Sequence, residues 1–447
     1  MATTLTSHPM LTRLVLASSL LGPAILGCQD APAPPIQQPP AAERVAQTRP
    51  AEVREAPAPA GQPTTLTTAT PKVDNVLLIT VDALRADQPW SGYEGARTPN
   101  LSRLASQSVV FDSMYSVANT TMPSLSALML ARYPSELQRD DCGLPALWGP
   151  DTLAEAVSAQ KIHTVGFHGH AIFAGSFAPS KGFEEWRLVK NVAGRNATLG
   201  AVTGSDITAL ATEFVRERAS QGRFMAWMHY VDPHDSYVRH DDFPPSASPV
   251  RGLYDGEVAY TDAQIGAVLG ALEAAGLADR TAVIVTADHG EGFGEHKRFR
   301  HGLTLFNEEV HVPFMMRVPG VAPSHVTTPR SLIDVARTTS ELLSVPPSSH
   351  WRGTSFVSDL TGAPAPVRPI LIDAPAFGTL QPQRAAILDG QTKVFVRGFQ
   401  AGQMFDLTAD AAEQRATTLA ATDPQRQQAQ ALFDALPAVE PQHCHRD

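Results

Sequence analysis

Thr286-Ala287-Asp288-His289-Gly290-Glu291-Gly292-Phe293-Gly294-Glu295-His296 follows directly on the apolar run Ala282-Val283-Ile284-Val285. A β-strand that gives way to a glycine-rich loop carrying Asp and His side by side offers a metal corner at the end of a parallel sheet. A second strand of the same kind lies far upstream, where Asn75-Val76-Leu77-Leu78-Ile79-Thr80-Val81 runs into Asp82-Ala83-Leu84-Arg85-Ala86-Asp87. Two strands that each end in a carboxylate can converge on one cation. Singly, Asp82 and Asp288 read as readily as helix caps or turn residues; as a pair they point to a shared site.

Working outward, apolar strand candidates at 75–81, 108–112, 163–167, 223–230, 281–286 and 312–318 alternate with amphipathic helix candidates at 99–107, 123–131, 151–160, 204–219, 256–275 and 331–344. Near-continuous apolar strands separated by helices predict an α/β fold with a mostly parallel sheet covered on both faces. Ligands of such sheets bind at the carboxyl ends of the strands, where Asp82, Asp288 and His289 fall. A third element is Asn119-Thr120-Thr121-Met122-Pro123-Ser124-Leu125, with Pro123 opening a helical run and Thr120 or Thr121 at its N-terminus. Free amides and the helix dipole there favour an alkoxide and an incoming oxyanion, although a threonine in that place is also an ordinary N-cap.

The chain has 447 residues, of which 43% are hydrophobic, enough to bury a large core. Its formal net charge of -10 leaves no basic stripe for nucleic acid. Many of its histidines stand beside Asp, Gly or Pro, including His168, His170, His229, His234, His289, His296 and His301. At the N-terminus, Arg13 precedes an apolar segment from Leu14 to Leu26, too short and too broken by Gly22 and Pro23 to span a bilayer, and ending Ile25-Leu26-Gly27-Cys28. That ending resembles a bacterial lipobox, which implies a signal peptide over 1–27, lipidation of Cys28 and an exported lipoprotein anchored in the cell envelope. The Pro- and Ala-rich stretch 28–73 cannot bury enough surface to offset its ordering entropy and is expected to be a disordered tether. Cys142 and Cys444 remain, either paired or as free thiols, and neither has zinc-site spacing.

In order along the chain, Asn75 to Asp87, Thr98-Pro99-Asn100-Leu101, Met122-Pro123-Ser124, Asp232-Pro233-His234, Tyr260-Thr261-Asp262, Thr286 to His296, His301-Gly302, Val312-Pro313-Phe314 and Met404-Phe405-Asp406-Leu407 resemble the succession of motifs in sulfatases, from about residue 73 to 415. The resemblance implies the alkaline-phosphatase-like α/β fold, with a catalytic domain over 74–365 and a C-terminal subdomain and tail over 366–447 carrying a short antiparallel sheet. It also brings out departures. Sulfatases carry a Cys or Ser that is oxidised to formylglycine, followed by an Arg; this chain has Thr121, which cannot yield formylglycine, and Leu125. Ala83 and His289 stand where sulfatases often place Asp and Asn.

Asp82, Thr121, Asp288 and His289 instead look like the single-metal site of phosphoethanolamine transferases and the nucleophile-side site of nucleotide pyrophosphatases, relatives that use an unmodified Thr nucleophile. Such a site implies one divalent ion, with its nitrogen ligand favouring zinc or manganese and calcium possible. His234 and His301 are expected to act in catalysis as donor or general acid, and His168, His170, His234 and Arg85 to bind the substrate anion. Asp232, His234 and His301 are alternatively a second metal site, and His229 alternatively a packed strand residue. The expected activity is hydrolysis of a sulfate or phosphate ester on a small-molecule, glycan or lipid substrate. The alternatives are a phospho-transferase, a two-metal phosphodiesterase and an inactive sulfatase-like envelope protein.

Overall fold

The structure, a computed structural model, describes residues 71–139, 147–173, 178–189, 202–363, 365–376, 381–437 and 439. The expected signal peptide, Cys28, nearly all of the tether, Cys142 and Cys444 lie outside the described residues.

An eight-stranded sheet forms the centre. Its strands in chain order are β1 (Asn75–Val81), β2 (Val109–Phe111), β3 (His163–His168), β4 (Glu185–Leu188), β5 (Phe224–Tyr230), β6 (Thr281–Ala287), β7 (Phe314–Arg317) and β8 (Ser324–Val326), in the spatial order β8-β2-β7-β6-β1-β5-β3-β4. Strands β6, β1, β5, β3 and β4 run parallel, whereas β7 pairs antiparallel with both β6 and β2. All seven residues of β1, β5 and β6 are buried, as continuous apolar strands with both faces covered require.

Six of the helices fall into two groups. The first comprises α1 (Pro99–Ala105), α4 (Gly204–Arg218) and α5 (Gly252–Ala274), packed on one another; the second comprises α2 (Thr121–Leu130), α3 (Leu153–Ser158) and α6 (Val335–Leu342). Every expected strand and helix is present. The differences lie at the ends: the run 312–318 loses its first residues because Pro313 interrupts the ladder, leaving Phe314–Arg317, and the helix expected over 331–344 begins as a 3-10 turn, Leu332–Asp334. Helix α5 starts four residues earlier than its apolar pattern, at Gly252.

The later part of the chain forms a five-stranded antiparallel sheet, β9 (Ile370–Ala374), β10 (Gln383–Ile387), β11 (Thr392–Arg397), β12 (Gln403–Asp406) and β13 (Thr417–Thr418), in sequential order. Lys393 on β11, with no exposed surface, pairs with Glu413 at 2.9 Å and donates to Asn307 Oδ1 at 3.0 Å, while the Asn307 amide donates to Glu413 at 2.5 Å. This buried network ties the small sheet to the segment that follows the metal-corner loop. Replacing Lys393 by Met strands a buried carboxylate and is expected to cost about 3–5 kcal/mol. Urea unfolding should show most of that loss recovered in K393M/E413L; a double variant as unstable as the single one would contradict the assignment.

Candidate active site

Three neighbouring strands, β6, β1 and β5, deliver the candidate metal cluster. Register pairs Val81 with Ala287 and Thr80 with His229, so Asp82 and Asp288, one residue beyond β1 and β6, must emerge side by side, with His229 at the end of β5 next to them. Asp82, Asp288 and His289 are fully buried, and their ligand atoms lie within 4.8 Å of one another. His289 Nε2 is 3.5 Å from Asp82 Oδ1 and 3.5 Å from Asp288 Oδ2. The Gly290 carbonyl, an acceptor only, lies 2.9 Å from His289 Nδ1, which places the proton on Nδ1 and the lone pair on Nε2. A lone pair and two carboxylates therefore face one point.

Both oxygens of Asp82, Oδ2 of Asp288 and Nε2 of His229 have no hydrogen-bond partner. Buried acceptors are normally satisfied, and three orphan carboxylate oxygens side by side suit a cation. The fit to a divalent metal thus rests on the donor set itself. Burial opposes ionisation of Asp82, but His234, His229 and His289 outweigh it and hold its carboxyl well below the usual range. Burial and the Asp82 charge push Asp288 up, and burial pushes His289 down despite Asp288.

Thr121 is the first residue of α2 and lies 7% exposed, its Oγ1 3.3 Å from His289 Nε2. Thr120 is the N-cap, so the first-turn amides at Thr121 and Met122 have no partners within the helix. Asn119 holds this end in place, donating to the Thr304 carbonyl at 2.6 Å and to Glu309 at 3.1 Å. Gly290 is required by close approach: a Cβ there would sit 2.1 Å from the Glu308 carbonyl oxygen. Leu125 is buried in the main core, so no guanidinium enters from α2. Ala83 sits in the left-handed region, φ 56°, its amide donating to Asp288 Oδ1 at 3.2 Å.

Imidazoles line the rest. His289 and His301 lie 4.2 Å apart between ring centres, His301 and His234 4.9 Å, and His234 and His170 6.2 Å, an arc that starts at the metal cluster. His301 Nδ1 is 3.1 Å from Glu291; burial opposes its charge, but Glu291 prevails and raises it to about 9, so it stands as an imidazolium at neutral pH. His170 accepts the Ile172 amide on Nδ1, which leaves its proton on Nε2, and burial lowers it to about 4. The structure does not bring the other two expected anion contacts into the arc. His168 lies in an aromatic cluster with Trp186 and Phe173, and burial lowers it to about 3. Arg85 spends its donors on Asp87, Glu295 and the Glu291 carbonyl.

The alternative second metal site is not assembled: Asp232 caps the start of α4, accepting the amides of Thr203 and Gly204 at 2.9 and 3.1 Å, while His301 is committed to Glu291. Among the described residues, Asp82, Asp288 and His289 form the one such cluster. Sequence reasoning missed His229 and Glu291. The first is not merely packed: Thr80 Oγ1, 2.9 Å from Nδ1, orients the ring so that Nε2 lies 3.4 Å from Asp82 Oδ2. A histidine at the carboxyl end of an apolar strand next to Asp82 was the available signal.

If the cluster binds a cation, Asp288→Asn has opposite effects with and without it. Chelated D288N should be more stable than the chelated parent by about 1–2 kcal/mol, since it removes a buried unpaired charge. Added zinc or manganese should raise the parent's Tm and leave that of D288N nearly unchanged. Equal Tm rises in both proteins would refute the cluster.

The sulfatase family model matches residues 74–345. Choline-sulfatase of Rhizobium meliloti (strain 1021) is 23% identical over 422 residues, spanning 76% of this chain and 81% of that enzyme. Arylsulfatase K of Mus musculus is 32% identical over 145 residues, 32% of this chain and 26% of its own length, so against that relative the chain spans about a quarter. In fold, the chain resembles the phosphonate monoester hydrolase of Agrobacterium radiobacter, with a TM-score of 0.64, 21% identity and coverage of 81% of this chain and 95% of that one. It also resembles a 2-O GAG sulfatase, with a TM-score of 0.63, 18% identity and coverage of 82% and 91%. With more than half of its length inside the family model, the chain belongs to the sulfatase family of the alkaline phosphatase superfamily.

Proposed function

We propose that this chain is a metal-dependent hydrolase of sulfate or phosphate esters in which unmodified Thr121 is the nucleophile. The observation that carries this reading is the Thr121 hydroxyl at a helix N-terminus, 3.3 Å from His289 Nε2 and beside three carboxylate oxygens, both of Asp82 and Oδ2 of Asp288, that lack donors. The names of its relatives, a choline-sulfatase and a phosphonate monoester hydrolase, support ester hydrolysis at such a centre. Asp82, Asp288 and His289, with Thr121, would hold one divalent ion, zinc or manganese favoured and calcium possible. Such an ion, when bound, lowers the pKa of a neighbouring hydroxyl and offsets the charge of an anionic ester.

The chain's own residues do the rest. The N-terminus of α2 favours the Thr121 alkoxide and the incoming anion through its free amides. As the bond from Oγ1 to sulfur or phosphorus forms, the bond to the leaving oxygen breaks, and the His301 imidazolium gives that oxygen its proton. Water then attacks the Thr121 ester, giving its proton back to the neutral His301 imidazole, and the bond to Oγ1 breaks to return the Thr121 alkoxide for the next cycle. His170 donates from Nε2 to a non-bridging oxygen, and His234, whose Nδ1 is turned to the Asp235 carbonyl, does so in its protonated form, the two taking the part of the basic side chains that sulfatases use and Leu125 cannot supply. No formylglycine is involved.

A phospho-transferase would share the Thr121 ester. Hydrolysis is preferred because no helix among the described residues is long and apolar enough to cross a membrane, as the transferases' helices do. An inactive protein would gain nothing from keeping three unsatisfied buried carboxylate oxygens. We place the enzyme on the envelope side of a bacterial membrane, held through lipidated Cys28, with a small-molecule, glycan or lipid ester as substrate.

Assays with aryl sulfate, phosphate monoester and phosphodiester, each with zinc, manganese or calcium, should reveal one dominant activity. Thr121→Ala should lower its kcat by about a thousandfold or more while Thr121→Ser retains measurable turnover; full activity in T121A would refute the nucleophile. His301→Gln should lower kcat by about a hundredfold or more for poor leaving groups and far less for 4-nitrophenolate, which departs without a proton. An equal loss for both would exclude a general-acid role.

A further inference from the structure

Thr121 and His301, which the proposed hydrolysis asks to act on opposite sides of one ester, are carried by segments far apart in the chain. Thr121 opens α2, and His301 is reached from His289 by way of a small antiparallel hairpin, Phe293 opposite Phe299. Glu309, 1% exposed, lies where the two segments meet. Its Oε1 accepts the Thr304 hydroxyl at 2.7 Å and the Thr304 amide at 3.1 Å, and its Oε2 accepts the Leu303 amide and the Asn119 side-chain amide, both at 3.1 Å. Leu303 and Thr304 follow closely on His301, and Asn119 stands just before Thr120 and Thr121. Asn119 gives its other hydrogen to the Thr304 carbonyl at 2.6 Å, which closes a ring of hydrogen bonds between the two segments. The main chain of Glu309 reaches a third segment, its carbonyl accepting the Gly290 amide at 2.8 Å, next to His289.

A carboxylate is the group that fits this place. The amides of Leu303, Thr304 and Asn119 can only donate, and they converge on both of its oxygens. A carboxamide of the same shape must turn its NH2 group on one of these donors in either orientation. Burial pushes the Glu309 carboxyl up to about 7 despite the bonds from Thr304, so the fold sustains a costly buried acid where an apolar side chain would serve for packing alone. Hydrogen bonds to one shared acceptor fix direction as well as spacing, which apolar contact between two loops does not.

We propose that Glu309 is a positioning residue that sets Thr121 against His301, holding the segment of the nucleophile and the segment of the acid in one hydrogen-bonded frame. It acts through Asn119 and Thr304 and not on the ester itself. The frame keeps attack by Oγ1 and protonation of the leaving oxygen aligned across the same sulfur or phosphorus centre. The inference rests on the proposed ester hydrolysis, and it deepens that reading by naming the residue that couples its two reacting groups.

The test compares the full chain with Glu309→Gln, N119A and the milder T304V, which deletes only the 2.7 Å bond to Oε1. All three keep the main-chain bond to Gly290, so the Tm rise on adding zinc or manganese should match that of the parent. With the 4-nitrophenyl ester that the parent cleaves, E309Q should lower kcat by about tenfold to a hundredfold, the scale of a misplaced reacting group, and leave KM within about twofold. The loss should be larger for an ester with a poor leaving group, where proton transfer is misaligned as well. N119A/E309Q should lose no more than the worse single variant, because both changes break one frame. If E309Q does not fold, N119A and T304V decide, each with a lowered kcat and an unchanged KM. Full kcat in the variants, losses that multiply in the double variant, or a Tm rise that disappears along with activity would each overturn the positioning role. The two readings fail separately: an active parent with E309Q at full kcat removes the role of Glu309 alone, whereas T121A at full activity removes the Thr121 mechanism and with it the frame's purpose.

Discussion

Two carboxylates and an imidazole lone pair are forced together in a place that water does not reach. The register of β1 against β6 leaves no choice, since Val81 faces Ala287 and the next residue on each strand is an aspartate. Two like charges about 4 Å apart repel by roughly 4 kcal/mol at the effective dielectric of a protein; no hydrogen bond reaches either Asp82 oxygen, and the neighbouring imidazoles of His234, His229 and His289 offset the repulsion on its side. A fold tolerates such an arrangement when the surrounding sheet is rigid and a cation relieves it. The fully buried strands β1, β5 and β6 supply that rigidity.

Around this point the chain meets the electrostatic demands of an anionic ester in its own way. The arginine that sulfatases carry after the nucleophile is Leu125, which joins the core. Positive charge comes instead from His301, kept protonated by buried Glu291, and Tyr237 donates to the other Glu291 oxygen at 2.9 Å. Fixed imidazoles replace long flexible cations, so less side-chain entropy is lost on binding the anion. A smaller charge at the site is the consequence, and under the proposed mechanism the helix dipole of α2 and the metal cluster balance the ester.

The small sheet is coupled to this chemistry through the hairpin. His296 and Glu413 join the loop between His289 and His301 to the chain after β12, and Lys393 fastens Glu413 from below. The left-handed conformations at His296, Lys297 and Arg300, with φ of 49°, 59° and 71°, are held by these contacts. The C-terminal subdomain thereby anchors the hairpin that lies between His289 and His301.

Much of this was legible along the chain. Continuous apolar runs, the Asp at the end of each, Pro123 and the order of motifs determined an α/β sheet and singled out Asp82, Thr121, Asp288 and His289, because strand period and helix caps are local properties. The local pattern could not distinguish His168, lost among Trp186 and Phe173, from His229, which faces Asp82. Nor could it show that Asp232 caps α4 or that Arg85 is consumed by Asp87 and Glu295. Those outcomes depend on strand order and on partners far apart in sequence, and only the tertiary structure decides which side chains share a face and which donors are already taken.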